Sequence, residues 1–94
     1  ERDLSREGLA GVADEEVIAT LTEIRGVGTW TAKMYLIFVL GRPDVFPVED
    51  LGIRAGMATL YGFENDDREG MIGHAERWRP YRSYASRYLW HAVD

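Results

Sequence analysis

Seven consecutive apolar residues, Met34-Tyr35-Leu36-Ile37-Phe38-Val39-Leu40, lie near the middle of this 94-residue chain. A helix apolar on every side belongs inside a fold, with other elements around it. The run is far shorter than the roughly 20 residues a bilayer-spanning helix needs. It therefore predicts a central helix, Trp30 to Leu40, capped by Thr29 and ended by Gly41 and Pro43. Its neighbours also read as helices. Asp14 is placed to cap a first helix, with Glu15 and Glu16 in its first turn and Val17, Ile18, Leu21 and Ile24 on one face. Residues 44–49 read as an extended loop, because Pro47 disfavours helix at Phe46. A third helix runs from about Asp50 to Leu60 on Ile53, Met57 and Leu60. Asn65-Asp66-Asp67 opens a fourth that carries Met71, Ile72, Ala75 and Trp78. Pro80 suits the first turn of a fifth, whose stripe would be Tyr81, Tyr84, Ala85, Tyr88, Leu89 and Ala92. No segment alternates with period two, so the fold class is all-α, a bundle of about five helices in one small domain.

Composition removes several chemistries. The chain has no cysteine, which excludes disulfides, thiolate zinc sites, an iron–sulfur cluster and a cysteine nucleophile. His74 and His91 have no second ligand at metal spacing and read as surface or pocket-edge residues. The formal net charge is −5, and residues 1–24 carry all of it. Arg77, Arg79, Arg82 and Arg87 form a locally basic stretch that reads either as phosphate contacts or as solvated helix-face charge. An acid-rich surface with one lysine, Lys33, fits a salt-loving cytoplasm. No signal-peptide pattern precedes the first helix, so an intracellular, cytoplasmic protein with no membrane partner is expected. Glu1 stands where an initiator methionine would, which suggests a piece of a longer protein.

The stretch Leu21-Thr22-Glu23-Ile24-Arg25-Gly26-Val27-Gly28-Thr29-Trp30-Thr31-Ala32 joins two helices by Gly-hydrophobic-Gly. Gly26 and Gly28 can take backbone angles closed to other residues and let another backbone come close. The second helix then offers amide N–H groups at its start, which bind a phosphate without a positive side chain. Read by itself, the same turn also fits an ordinary αα-corner.

The whole pattern resembles the helix-hairpin-helix of the DNA glycosylase superfamily. Val45-Phe46-Pro47-Val48-Glu49-Asp50 is similar to that superfamily's Pro-containing loop, which ends in the catalytic aspartate. Residues 75–85, Ala-Glu-Arg-Trp-Arg-Pro-Tyr-Arg-Ser-Tyr-Ala, resemble the C-terminal signature of its 3-methyladenine DNA glycosylase II branch. The resemblance implies a partial glycosylase domain over residues 1–94. The helix-hairpin-helix would span about 14–41, the catalytic loop 44–50 and the C-terminal helices 51–94. The family's earlier helices are missing, so the chain alone would be weakly active or inactive.

By this resemblance the protein is a monofunctional DNA glycosylase that hydrolyses the N-glycosidic bond of alkylated purines in double-stranded DNA. Asp50 would be catalytic, and Glu49 its solvated neighbour. The position that carries a Schiff-base lysine in lyase members is Trp30 here, and Lys33 does not match it. Trp30 and Trp90 match aromatic pocket positions that would bind the damaged base. Gly26, Val27, Gly28 and Thr29 would contact the DNA backbone. The backbone carbonyls of Thr22, Ile24 and Val27 match those that hold a monovalent cation, Na or K; no other cofactor is implied. Read without the resemblance, Asp50 is a helix N-cap and the tryptophans are core. Trp90, opposite the expected stripe of its helix, would face a missing segment, a pocket or solvent. A non-catalytic helix-hairpin-helix module that only holds DNA is the alternative reading.

Overall fold

The computed structural model describes residues 4–93, and the predicted domain's outermost residues, 1–3 and 94, lie outside them. Five α-helices follow one another: α1 (Asp14–Thr22), α2 (Thr29–Met34), α3 (Leu51–Tyr61), α4 (Arg68–Ala75) and α5 (Arg82–Ala92). A π-helical stretch, Tyr35–Val39, continues α2, and a 3-10 turn, Glu76–Trp78, continues α4. The described residues contain no strand, so the all-α expectation holds. None of their helices is long and apolar enough to cross a membrane. The chain divides after Arg42 into two compact units.

The first unit buries Leu9, Val17, Leu21, Ala32, Leu36, Ile37 and Leu40. Its helix starts differ from those expected. Asp14 is the first helical residue rather than the cap, and Ala13 precedes it without a side-chain cap. The Asp14 carboxylate is engaged elsewhere, accepting from Arg42 Nη1 at 2.6 Å. Arg42 also donates to the carbonyls of Val12 and Leu9, both at 2.8 Å. One guanidinium thus gathers the segment before α1, where a capping aspartate was expected. Likewise Gly28, not Thr29, occupies the N-cap of α2.

The apolar run is not enclosed on all sides within its unit. Phe38 and Val39 are 55% and 46% exposed. Only one side of the run, Leu36, Ile37 and Leu40, is buried. Leu40 N–H bonds to Tyr35 O at 3.0 Å, the wider turn of a π-helix. Ile24 lies past the end of α1 and is exposed, not on its buried face.

The second unit packs Phe46, Val48, Ile53, Met57, Met71, Ala75 and Leu89 together, with Phe63, Trp78 and Trp90 against them. Asp50 caps α3 and Asp67 caps α4, each accepting the N–H three residues on, at 3.0 Å. Gly62 ends α3 in the left-handed conformation, φ 76°, as a glycine at that position should. Leu60 and Ile72 are exposed, so α3 and α4 bury narrower faces than their apolar residues suggested.

The larger correction concerns α5. It begins at Arg82, two residues beyond Pro80. Its buried face is Ser83, Ser86 and Leu89, whereas Tyr81, Tyr84 and Tyr88 are at least 60% exposed. The partners of the buried residues account for the rotation. A Cβ added at Gly56 of α3 would lie 3.2 Å from both Cβ and the carbonyl oxygen of Leu89. Leu89 thus packs directly on Gly56, while Ser83 turns its hydroxyl to the loop before α3, accepting the Val45 N–H at 2.9 Å.

Candidate active site

The loop from Asp44 to Glu49 is sealed by its own apolar residues, since Val45, Phe46, Pro47 and Val48 are all buried. It delivers Asp50 to the start of α3, where the carboxylate caps the helix. Asp50 Oδ2 accepts the backbone N–H of Ile53 at 3.0 Å and the indole N–H of Trp90 at 2.6 Å. Capping and a site role are therefore not alternatives for this residue. The cap fixes the carboxylate's orientation relative to α3, and the indole ties it to α5, 40 residues away in sequence.

Trp90 sits beside the core, not on an open face. It reaches Asp50 because residue 52 is glycine. A Cβ at Gly52 would fall 2.9 Å from Trp90 Cδ1, 3.2 Å from its Nε1 and 3.1 Å from Asp50 Oδ2. Sequence reasoning overlooked Gly52. The available signal was a glycine in the first turn of an otherwise well-formed helix, where it costs about 1 kcal/mol relative to alanine.

Chemically, this is a partly buried carboxylate held in one orientation by two N–H donors. Such a fixed negative charge stabilises a positive charge developing beside it, with little reorganisation as the charge grows. Glu49, expected to be solvated, has a buried Oε1. His74 is not a plain surface residue. Its ring lies 4.4 Å from that of Tyr61, 5.3 Å from Trp78 and 5.6 Å from Phe63, centre to centre. Burial first, and then the charge of Arg77, hold its imidazole below the ordinary histidine range.

Of the four arginines read as phosphate contacts or solvated charge, two are committed to acids. Arg79 Nε donates to Glu76 at 2.7 Å, and Arg82 Nε donates to Asp44 at 2.7 Å. Arg77 Nε bonds to the carbonyl of His74 at 3.0 Å.

The hairpin belongs to the first unit. Val27 N–H closes its turn on Ile24 O at 3.0 Å. Gly26 needs to be glycine, because its φ is 88°. Gly28 does not need it for conformation. Its φ of −97° and ψ of −177° are ordinary extended backbone, and a Cβ there would meet nothing within 4 Å. Packing among the described residues therefore leaves this glycine unexplained. Trp30, in the first turn of α2, is 47% exposed and is not a core residue. Of the three carbonyls matched to a cation, that of Ile24 already accepts the Val27 N–H. The Thr22 hydroxyl is turned back onto Ile18 O at 2.8 Å.

A succession of short helices, with a Gly-Val-Gly hairpin between two of them and a capped aspartate at the start of another, is the helix-hairpin-helix arrangement of DNA glycosylases. The comparisons with known proteins agree. A DNA-3-methyladenine glycosidase from Bacillus halodurans superposes with a TM-score of 0.82 at 41% identity, over 89% of this chain and 39% of that one. The 3-methyladenine DNA glycosylase Mag1 of Schizosaccharomyces pombe, in complex with abasic DNA, gives 0.83 at 40% identity, over 90% and 42%. The DNA-3-methyladenine glycosylase of Saccharomyces cerevisiae is 56% identical over 82 residues, covering 86% of this chain and 28% of the relative. No family model matches the chain. The chain is a homologue of the DNA-3-methyladenine glycosylases, and it spans 17% to 41% of the length of the curated relatives it matches.

Proposed function

We propose that the protein carrying this chain is a monofunctional DNA glycosylase of base excision repair, hydrolysing the N-glycosidic bond of alkylated purines such as 3-methyladenine in duplex DNA. The observation that carries this reading is the Asp50 carboxylate, held by Ile53 N–H at 3.0 Å and by Trp90 Nε1–H at 2.6 Å. A helix cap alone would need only the Ile53 bond, and the second donor from α5 supports a site role besides the cap.

In the proposed reaction the damaged nucleotide leaves the base stack. The bond between C1′ and the purine nitrogen breaks, and its electron pair departs with the base. An alkylated purine already bears positive charge and leaves readily. Asp50 opposes the cation that develops on the sugar, and water adds to C1′. An exposed aromatic ring such as Trp30 attracts a cationic base by about 0.5–2 kcal/mol. The hairpin, residues 26–29, would hold a backbone phosphate by amides, in keeping with an acidic chain. A glycine at position 28 that its own fold does not require fits close approach of a nucleic-acid backbone. A monovalent cation would find neutral oxygen donors in the carbonyls of Thr22, Ile24 and Val27, and it would draw a phosphate toward the same turn.

Release of free base from methylated duplex DNA tests this reading. Binding to abasic-site DNA without any base release would favour the non-catalytic module instead.

A further inference from the structure

The loop that ends at Asp50 is gripped at its beginning as well. Arg82, the first residue of α5, donates from Nε to Asp44 Oδ1 at 2.7 Å and from its backbone N–H to the same oxygen at 3.2 Å. Its Nη2 reaches Asp44 O at 3.3 Å, and Arg79 Nη1 adds a bond to Asp44 Oδ2 at 3.1 Å. The Arg82 and Asp44 side chains are only 14% and 21% exposed, so this pair is shielded from the screening that weakens surface pairs. Burial pushes the Asp44 carboxyl up, but the Arg82 bonds and the charges of Arg82 and Arg79 outweigh it and hold the group below its ordinary range. Ser83 continues the grip. Its N–H donates to Pro43 O at 2.9 Å, and its hydroxyl oxygen accepts Val45 N–H at 2.9 Å.

Trp90 lies eight residues beyond Arg82, roughly 12 Å along a helix. The loop from Asp44 to Asp50 is thus fastened to α5 at both ends, by Arg82 and Ser83 at one and by Trp90 at the other.

We propose that Arg82 and Ser83, acting through Asp44 and Val45, are positioning residues that set the register of this loop on α5 and so bring Asp50 within reach of the Trp90 indole. The proposal rests on the reading of Asp50 as the group that faces the sugar cation. It assigns Arg82, with Arg79 beside it, a role inside the fold in place of a role on phosphate.

Two readouts on the protein carrying this chain test it. The first is the indole N–H resonance of Trp90 in the nitrogen-15-labelled protein, which reports its bond to Asp50. Arg82→Ala and Ser83→Ala should each move that resonance, while the indole of Trp78 shows that the unit remains folded. The second is single-turnover base release against affinity for abasic-site DNA. Release should fall on the order of 10- to 100-fold, as expected for a group misplaced by about 1 Å, with affinity unchanged. Arg82→Lys should recover part of the loss, since it keeps the charge but not the planar fork. If Arg82→Ala fails to fold, Arg82→Lys and Ser83→Ala decide the matter. A Trp90 resonance and release rate equal to the parent's in those folded variants would overturn the proposal. Asp50→Asn releasing base at the parent rate would instead overturn the catalytic reading, and the Trp90 resonance would still judge the grip on the loop.

Discussion

The indole N–H of Trp90 and the carboxylate of Asp50 meet at 2.6 Å across 40 residues of chain, and Gly52 makes room for the meeting. A charge-assisted bond of this length joins α5 to the cap of α3. It gives an aromatic side chain a second task besides any contact with a base.

Gly52→Ala should therefore disturb the site although alanine is the better helix former. The added methyl group would stand 2.9 Å from Trp90 Cδ1, and the indole would have to move. Base release is expected to drop about tenfold or more. Thermal unfolding should change by less than the roughly 2–5 kcal/mol cost of a large core truncation such as Leu89→Ala. Kinetics and calorimetry on the two variants check the contrast.

The two hairpin glycines should respond differently. Gly26 has a φ of 88°, so Gly26→Ala is expected to destabilise the protein by about 1 kcal/mol or more, because alanine is strained there. Gly28 has ordinary backbone and open space around it. Gly28→Val should leave the unfolding midpoint nearly unchanged and weaken binding to all duplex sequences alike, since phosphate contacts position without specifying. Denaturant melts and salt-controlled binding isotherms on both variants separate the effects.

Much of this was legible in the sequence, and the reasons differ by element. Asp50 could be placed as a cap, and the start of α4 within Asn65-Asp66-Asp67, because short acids before a helical apolar pattern favour that position. Asp14 has the same local signature, yet Arg42, 28 residues away, takes its carboxylate. No local pattern reveals such a partner. The tyrosines of α5 have ideal helical spacing and nonetheless face outward. The deciding partners lie elsewhere in the chain: Gly56 makes room for Leu89, and Val45 N–H takes the Ser83 hydroxyl as its acceptor. The Trp90–Asp50 bond was hidden for a related reason. Rotating α5 by the wrong stripe turns Trp90 away from the helix that it meets.

The rotated face of α5 can be checked directly. Tyr88 is 70% exposed and Leu89 is 1% exposed. Tyr88→Ser should change stability by no more than about 0.5 kcal/mol, whereas Leu89→Ala should cost about 2–5 kcal/mol. Equal costs in urea titrations would contradict the observed orientation.

His74 makes stability depend on pH. Its imidazole is held below the ordinary histidine range by burial and then by Arg77. Below about pH 6.5 the unfolded chain takes up a proton that the folded chain still refuses. The contribution is therefore complete above that pH and is lost as pH falls through the lowered folded value. His74→Phe should flatten the decline of unfolding free energy that sets in below about pH 6.5. Asp44 acts in a separate, more acidic window, because its carboxyl is held below its ordinary range and loses its contribution only as pH falls through that lowered value. Urea melts at several pH values in parent and variant resolve the two.

The central claim, that the fixed charge of Asp50 acts on the sugar, is tested most directly by Asp50→Asn in single-turnover release of 3-methyladenine from duplex DNA. Asparagine nearly preserves the shape and can still accept the Ile53 and Trp90 N–H bonds through its oxygen, but it lacks the charge. Release should fall by roughly 100-fold or more, with affinity for abasic-site DNA little changed. Release at the parent rate by a folded, DNA-binding Asp50→Asn protein would contradict the assignment.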